Sequence, residues 1–318
     1  MVAPKASDAE LIEAYRATNG DLGAVAQRFD LHERSVHSRL ARIERRTGMP
    51  IRPAAMNRVV ITRDTRPNPI SLDNGVIMVA SDCHYWPGDA STAHRAFVKL
   101  AKKLGPWAVV VNGDEFDGAS ISRHGRMGWE ARPTVAQEIG AVQERLQEIK
   151  RAAGSAHLLG TYGNHTMRYD TYLSGAVAAM EGVKGMKYDD LVPAWKYAWA
   201  WMVNEHTLIK HRIKGGIHAT WNNTADAQIS TVTGHMHNLR ITPRTTMSPV
   251  NGGNIYGVDC GMLADPWGPQ FAYVEQGPRN WRAGFAVLTF QDGLLMPPEL
   301  CQVIEEDAVF FRGCRIEV

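Results

Sequence analysis

Cysteine is scarce and scattered: the four residues, at 83, 260, 301 and 314, show no Cys-x-x-Cys spacing, which excludes a zinc ribbon or a disulfide framework as the organising device. Reduced thiols are expected. Long apolar runs are also missing, since no stretch approaches the roughly 18 residues that span a bilayer. Met1-Val2-Ala3-Pro4-Lys5 leads into polar sequence, without the apolar core of a signal peptide. These absences predict a cytoplasmic chain with no membrane partner. A formal net charge of only +2 argues against a surface that binds polyanions everywhere.

What remains is an ordinary composition, 44% hydrophobic over 318 residues, enough for one large α/β domain and a small accessory one. The charge is unevenly spread. Between Leu31 and Arg52, arginines 34, 39, 42, 45, 46 and 52 stand against only Glu33 and Glu44, marking a basic N-terminal module. There, Ser7-Asp8-Ala9-Glu10 has the form of a capping box, and a helix runs on to about Thr18. Asn19-Gly20 breaks it, Asp21 caps a second helix through Arg28, and a third spans about Glu33 to Arg46. Leu11, Val25, Val36, Leu40 and Ile43 are candidates for a three-helix core, leaving Arg34, Ser35, His37, Ser38, Arg39 and Arg42 outside. This all-α segment, residues 1 to 48, resembles the helix-turn-helix DNA-binding fold. The resemblance implies DNA as a partner, with the third helix in the major groove. An arginine-rich helix in an assembly module is the alternative. Residues 49 to 74, with Pro50, Pro53, Pro67 and Pro69, read as a linker.

From residue 75 to 318 short apolar runs alternate with amphipathic helices, as in βαβ units with a largely parallel sheet. Val76 to Ala80, Trp107 to Val111 and His157 to Thr161 read as strands, with helices at about Thr92 to Leu104 and from Val135 to Ile149. A helix is expected from about Tyr172 to Met180, and strands at His206 to Lys210 and Ile229 to Thr233. The last third, with Ile255 to Val258, Phe285 to Phe290 and Leu294 to Ile304, reads as meander strands closing a second sheet.

Each strand end carries a polar cluster. Asp82-x-His84, Gly113-Asp114-x-x-Asp117, Gly163-Asn164-His165, His211 and Gly234-His235-x-His237 occur in that order. One such block arises easily by chance; five in order at strand ends do not. Over about residues 76 to 290 this set resembles the calcineurin-like metallophosphoesterase superfamily, and most closely its phage and prophage members. The resemblance implies an α/β fold, a four-layer αββα sandwich, behind the helix-turn-helix domain. It also implies a host-cytoplasmic hydrolase of phosphate esters with two divalent metal ions, manganese first, iron, zinc or nickel as alternatives.

Position by position, the resemblance implies that Asp82, His84 and His237 hold one ion and Asn164, His211 and His235 the other, with Asp114 bridging. It implies that His165 protonates the leaving oxygen or stabilises the transition state. Asp117 then orients a loop or a ligand imidazole, and Arg168, Arg123 and His124 are candidates for phosphate contacts. His218 competes with His211, which is preferred because it ends an apolar run. Thr166 and Arg212 depart from the family pattern, where an acid and a glycine are common. Cys83 reads as a filler between ligands. Trp86, Trp129, Trp221, Trp267 and Trp281 are candidates for base stacking, with packing the commoner role. The expected activity is a phosphodiesterase or nuclease on DNA. Alternatives are hydrolysis of nucleotide or phosphoprotein esters, and a DNA-binding regulator on a silent fold.

Overall fold

The computed structural model describes residues 6–18, 20–47, 51, 58–59, 65–126, 128–247, 253–275 and 280–318. The expected break at Asn19 and half of the expected linker lie outside them. The chain divides into two compact units, Met1–Arg58 with Ser71–Asp73, and Val59–Ile70 with Asn74–Val318.

In the first unit, α1 (Asp8–Ala17), α2 (Leu22–Arg28) and α3 (Glu33–Thr47) form where the capping residues predict. Ser7 Oγ accepts from Glu10 N while Glu10 reaches back to Ser7 N at 2.7 Å, and Asp21 accepts from Ala24 N at 3.0 Å. Leu11, Ala14, Val25, Ala26, Val36, Leu40, Ile43 and Ile51 close one apolar core. Apolar residues on three short helices bury enough surface only together, so the helices stabilise one another.

The second unit is mixed α/β with two sheets. In the nine-stranded sheet, β3 (Gly75–Ala80), β4 (Ala108–Val111), β5 (His157–Thr161) and β6 (Lys196–Ala198) run parallel. On the other side of β3 comes β12 (Gly284–Gln291), antiparallel, carrying the short β13 (Leu294–Leu295), then β14 (Glu299–Glu305), β15 (Ala308–Phe311) and β16 (Cys314–Glu317). The seven-stranded sheet takes β1 (Arg58–Val59), β2 (Asn68–Ser71), β7 (Trp201–Val203), β8 (Thr207–Ile209), β9 (Ser230–Thr233), β11 (Asn254–Cys260) and β10 (Leu239–Thr245), in that spatial order.

Alternation along the strands splits the core. Met78, Val109 and Val111 pack with Phe97 and Leu100 of α4 (Thr92–Leu104) and with Val142 and Leu146 of α5 (Val135–Ala153). Ile77, Val79, Ala108 and Val110, on the opposite face, are equally buried. Trp201 of β7 donates its indole N–H to the Gly160 carbonyl of β5 at 2.9 Å, linking the sheets. Helix α8 (Ala219–Ala227) lies on β9, β10 and β11. Helices thus flank both sheets, and no helix among the described residues is long and apolar enough to cross a membrane.

Four expectations change. Residues 68 to 71 are a strand and not linker, because Asn68 N pairs with Ala200 O and Ile70 is buried. Of the expected meander, Ile255 to Val258 does lie in the second sheet, within β11, whereas the later strands extend the first sheet, since β12 registers on β3 from Ala286 opposite Val79 to Phe290 opposite Gly75. Pro297 and Pro298 divide Leu294 to Ile304 into β13 and β14. The helix expected at 172 to 180 starts earlier, as α6 (Arg168–Ala176), and the short α7 (Tyr188–Leu191) follows.

Candidate metal centre

The ends of β3, β4 and β5 and of β8 and β9 bring the five clusters together, through turns so tight that the chain adopts strained conformations. Asp82, His84, Asp114, His235 and His237 all have φ between 39° and 70°. For non-glycine residues such a conformation costs about 1–3 kcal/mol each, and it persists only where the surroundings enforce it. Here they do: Asp82 N donates to Gly113 O, His84 N to Asp114 O, and His235 N to an Asp82 carboxylate oxygen at 2.8 Å. Gly113, at φ 78°, allows the approach, because a Cβ there would lie 2.6 Å from the His211 ring. At Gly163 a Cβ would overlap the Asp114 carboxylate.

The side chains converge on two points. Asp82, His84 and His237 present ligand atoms within 4.8 Å of one another, and so do Asp114, His211 and His235. Asp82 Oδ1 lies 3.1 Å from His237 Nε2, and Asp114 Oδ2 lies 3.0 Å from His211 Nε2. The second nitrogen or oxygen of several of these groups is already committed. His211 Nδ1 donates to Asn112 O at 2.7 Å, His84 Nδ1 to Asp117 Oδ1 at 2.8 Å, and Asp82 Oδ2 accepts from Ser81 Oγ. What is left over is a set of buried atoms that make no hydrogen bond, Asp82 Oδ1, His84 Nε2, Asn164 Oδ1, His211 Nε2 and His237 Nδ1, of which Asp82 Oδ1 and His211 Nε2 keep only the ion-pair contacts just described. Orphaned polar atoms are costly, and those of Asp82, His84, His211 and His237, which belong to the two groups above, form with Asp114 and His235 a donor set of nitrogen and oxygen suited to divalent cations.

Asp117 ties this cluster to His165. Its Oδ1 lies 2.8 Å from His84 Nδ1 and 2.9 Å from His165 Nδ1, and the two rings meet edge to face at 4.7 Å. Arg168 donates to the Asp117 carbonyl at 2.7 Å and approaches His165 Nε2 at 3.3 Å. Arg168 therefore braces the loop as well as facing the site. Glu138, buried on α5, accepts from Gly118 N at 2.7 Å and Ala119 N at 3.0 Å, fixing the turn just after Asp117.

Electrostatics follow this geometry. Burial opposes ionisation of Asp82, but His237 and His211 beside it hold the carboxyl at about 2. Burial likewise opposes charge on Asp114, and His211 outweighs it, keeping that carboxyl well below its usual range. His84 is lowered mainly by burial, which suits a neutral ligand imidazole. At His165 burial is outweighed by the Asp117 hydrogen bond and the Asp114 charge, so its pKa is raised. Cys83 is fully buried and its thiol pushed well up by burial, which removes it as a nucleophile.

The N-terminal unit offers a second candidate surface. Arg34, Ser35, His37, Ser38 and Arg42 are exposed along α3. Arg39 is not available in the same way: its Nε bonds Asp8 Oδ1 at 2.8 Å and an amino group bonds Ala6 O, so it fastens α3 to the start of α1. Arg46 bonds the other Asp8 oxygen at 2.8 Å.

Residues 9–58 match the family model described as the PucR C-terminal helix-turn-helix domain. The N-terminal unit is a helix-turn-helix module. No curated protein matches the chain.

The structure separates the remaining candidates. His211 is buried in the cluster and His218 is exposed ahead of α8. His124 borders a depression beside His165, whereas Arg123 is exposed and does not line it. Trp86, Trp267 and Trp281 border a larger depression reaching His84; Trp129 is fully exposed, and Trp221 lies under Arg244. Thr166 is buried, accepting from Asp114 N and donating to Glu115. Sequence reasoning missed Glu138, Arg132 and Phe271. Glu138 sits on a helix whose pattern only announces amphipathicity. Arg132 and Phe271 follow loops without periodicity.

Proposed function

We propose that the chain is a dinuclear metal-dependent phosphoesterase of the calcineurin-like type, with the four-layer αββα arrangement as its scaffold. Its substrate in this reading is DNA, recruited by the helix-turn-helix module. The observation that carries the reading is the convergence of two buried ligand groups, Asp82–His84–His237 and Asp114–His211–His235, on strained strand ends. Asp82, His84 and His237 would hold one ion and Asn164, His211 and His235 the other, with Asp114 between them. The carboxylates and imidazoles favour manganese, and iron, zinc or nickel suit the same donors. Bound there, a pair of divalent ions supplies a nucleophile from water and neutralises the phosphoryl charge.

The protein's own groups do the rest. Asp117 holds His165 by Nδ1, which aims Nε2 outward as the atom that delivers a proton to the leaving oxygen. Arg168 lies 3.3 Å from that nitrogen, and because a guanidinium can only donate, it turns to phosphoryl oxygens when Nε2 carries the proton. Asn164 contributes a neutral oxygen, limiting negative charge where an anion must approach. A complete ligand set disfavours a regulator on a silent fold.

Purified protein with Mn(II), assayed on DNA, bis(p-nitrophenyl) phosphate and p-nitrophenyl phosphate, tests the reading. Metal-dependent hydrolysis is expected, and its absence with metal bound sinks the proposal. His211→Ala should lose bound metal while His218→Ala keeps it; wild-type metal content in the His211 variant would reverse that assignment.

A further inference from the structure

Among the described residues, two depressions open beside the metal centre, and their linings differ in kind. The smaller, about 360 Å³, is bordered by His165, Arg168, Arg132, His124 and Tyr273. The larger, about 760 Å³, reaches Cys83 and His84 at its buried end and is bordered by Trp86, Trp267 and Trp281. Gln270 lines both, and His84 at the end of the larger meets His165 of the smaller edge to face at 4.7 Å, so the two open on either side of these rings as arms of one cleft.

The larger arm is aromatic yet acidic. Trp281 continues the wall from the metal site, its ring 4.5 Å from His237 and 5.1 Å from Phe271. Trp267 is 74% exposed, and the Trp86 indole N–H is buried with no acceptor. Asp89, Asp265, Glu305, Glu306 and Asp307 line this arm against Arg95, Arg145 and Arg282. Arg95 is bound to Asp307 at 2.6 Å, Arg145 to Glu148 and Glu305 to Arg315, both outside the lining. Among the described residues, that leaves Asp89, Asp265 and Glu306 facing Arg282. Such a lining stacks on flat rings and repels an additional phosphate. In the smaller arm Arg132 and Arg168 offset Glu130 and Asp117.

We propose that the larger arm receives the terminal nucleoside of a nucleic-acid strand whose end carries no phosphate. The scissile phosphate then lies over the metal centre, and the rest of the strand leaves through the His165–Arg168 arm. The proposal rests on the phosphoesterase reading above and makes the enzyme end-dependent. In the reaction water forms a new P–O bond and the bond from phosphorus to the chain-side oxygen breaks. His165, which lines the chain-side arm, gives its proton to that oxygen. The terminal nucleotide departs with its phosphate, and the shortened strand is left with a hydroxyl end. That end again lacks a phosphate, so it suits the acidic arm for the next round.

The full-length protein with Mn(II) can be given one single-stranded oligonucleotide in four forms: hydroxyl at both ends, phosphorylated at either end alone, and phosphorylated at both. A circle of the same sequence is the fifth. The hydroxyl-ended strand should yield nucleoside monophosphates, the doubly phosphorylated strand should react at least about tenfold more slowly, and the circle should persist. That factor corresponds to losing about one stacked base through repulsion. Asp265→Lys with Glu306→Lys should narrow the gap between phosphorylated and hydroxyl ends, a gain that misfolding does not produce. Equal rates on all linear forms, or cleavage of the circle as fast as the linear strand, overturn the proposal. Hydrolysis of bis(p-nitrophenyl) phosphate with no hydrolysis of any oligonucleotide overturns it too while leaving the phosphoesterase reading intact. Metal-dependent hydrolysis of neither removes both.

Discussion

At the scale of single residues, Asp117 links two tasks that the sequence presents separately. Its carboxylate fixes His84, a ligand candidate, and His165, the candidate acid, within 2.9 Å of one oxygen. Removing it should therefore weaken both tasks, whereas removing His165 should affect only the second. His165→Ala is expected to lower kcat on bis(p-nitrophenyl) phosphate about 10²–10⁴-fold with metal content unchanged. Asp117→Ala should lower kcat and also weaken metal affinity by about 10–100-fold, the usual loss when the partner of a ligand imidazole goes. Metal titration beside steady-state kinetics separates the two variants, and equal metal affinity in both contradicts the shared role. Most of this cluster was legible in the sequence because Asp82, Asp114, Asn164, His211 and His235 each end or follow an apolar run. Glu138 was not legible: its carboxylate reaches the Asp117 loop only through the packing of α5, which spacing along the chain does not encode.

At the scale of elements, the turns after β3 and β4 are held by buried groups whose charge bears on stability. Glu115 sits behind Asp114, accepting from the Tyr197 hydroxyl at 2.7 Å and the Thr166 hydroxyl at 3.2 Å. Burial raises it from 4.5 to about 7. A carboxyl with a raised folded pKa binds its proton more tightly in the folded state. The stability it allows is therefore complete below about 4.5 and declines as pH rises toward 7, by up to ~3 kcal/mol. Glu115→Gln has no proton to lose, and hydroxyls can either donate to or accept from its amide. The variant should be relatively more stable at pH 8 than at pH 5, measured by urea unfolding at both; an unchanged pH dependence tells against this account. The apolar runs of β3, β4 and β5 announced themselves because both faces are buried, which removes polar alternation. The partner of β12 was not readable, since one antiparallel run pairs as well with the edge of either sheet until β3 fixes its register.

At the scale of the whole molecule, two units of different chemistry share one chain, and the arginine content of the first overstates its reach. Six arginines mark the segment from Leu31 to Arg52. Among those in α3, Arg34, Arg42 and Arg45 are exposed, whereas Arg39 and Arg46 are both bound to the Asp8 carboxylate. That carboxylate is held below its usual range by hydrogen bonds from Arg46 and then Arg39, so it stays charged at neutral pH. Each phosphate neutralised on duplex DNA contributes about −0.9 to the slope of log affinity against log salt. With Arg34, Arg42 and Arg45 paired to no acid among the described residues, each bound copy of the chain should give a slope of about −3. Asp8→Asn releases Arg39 and Arg46 and should steepen the slope by up to about two, while loosening the hold of α3 on α1. Removing residues 1 to 58 should abolish the salt-sensitive DNA affinity and leave hydrolysis of bis(p-nitrophenyl) phosphate in place. Fluorescence anisotropy of labelled duplex across a salt series measures the slopes. A wild-type slope of about −4.5 would show that Arg39 and Arg46 leave Asp8 for the phosphates, and an affinity indifferent to salt would remove the DNA-binding role from α3.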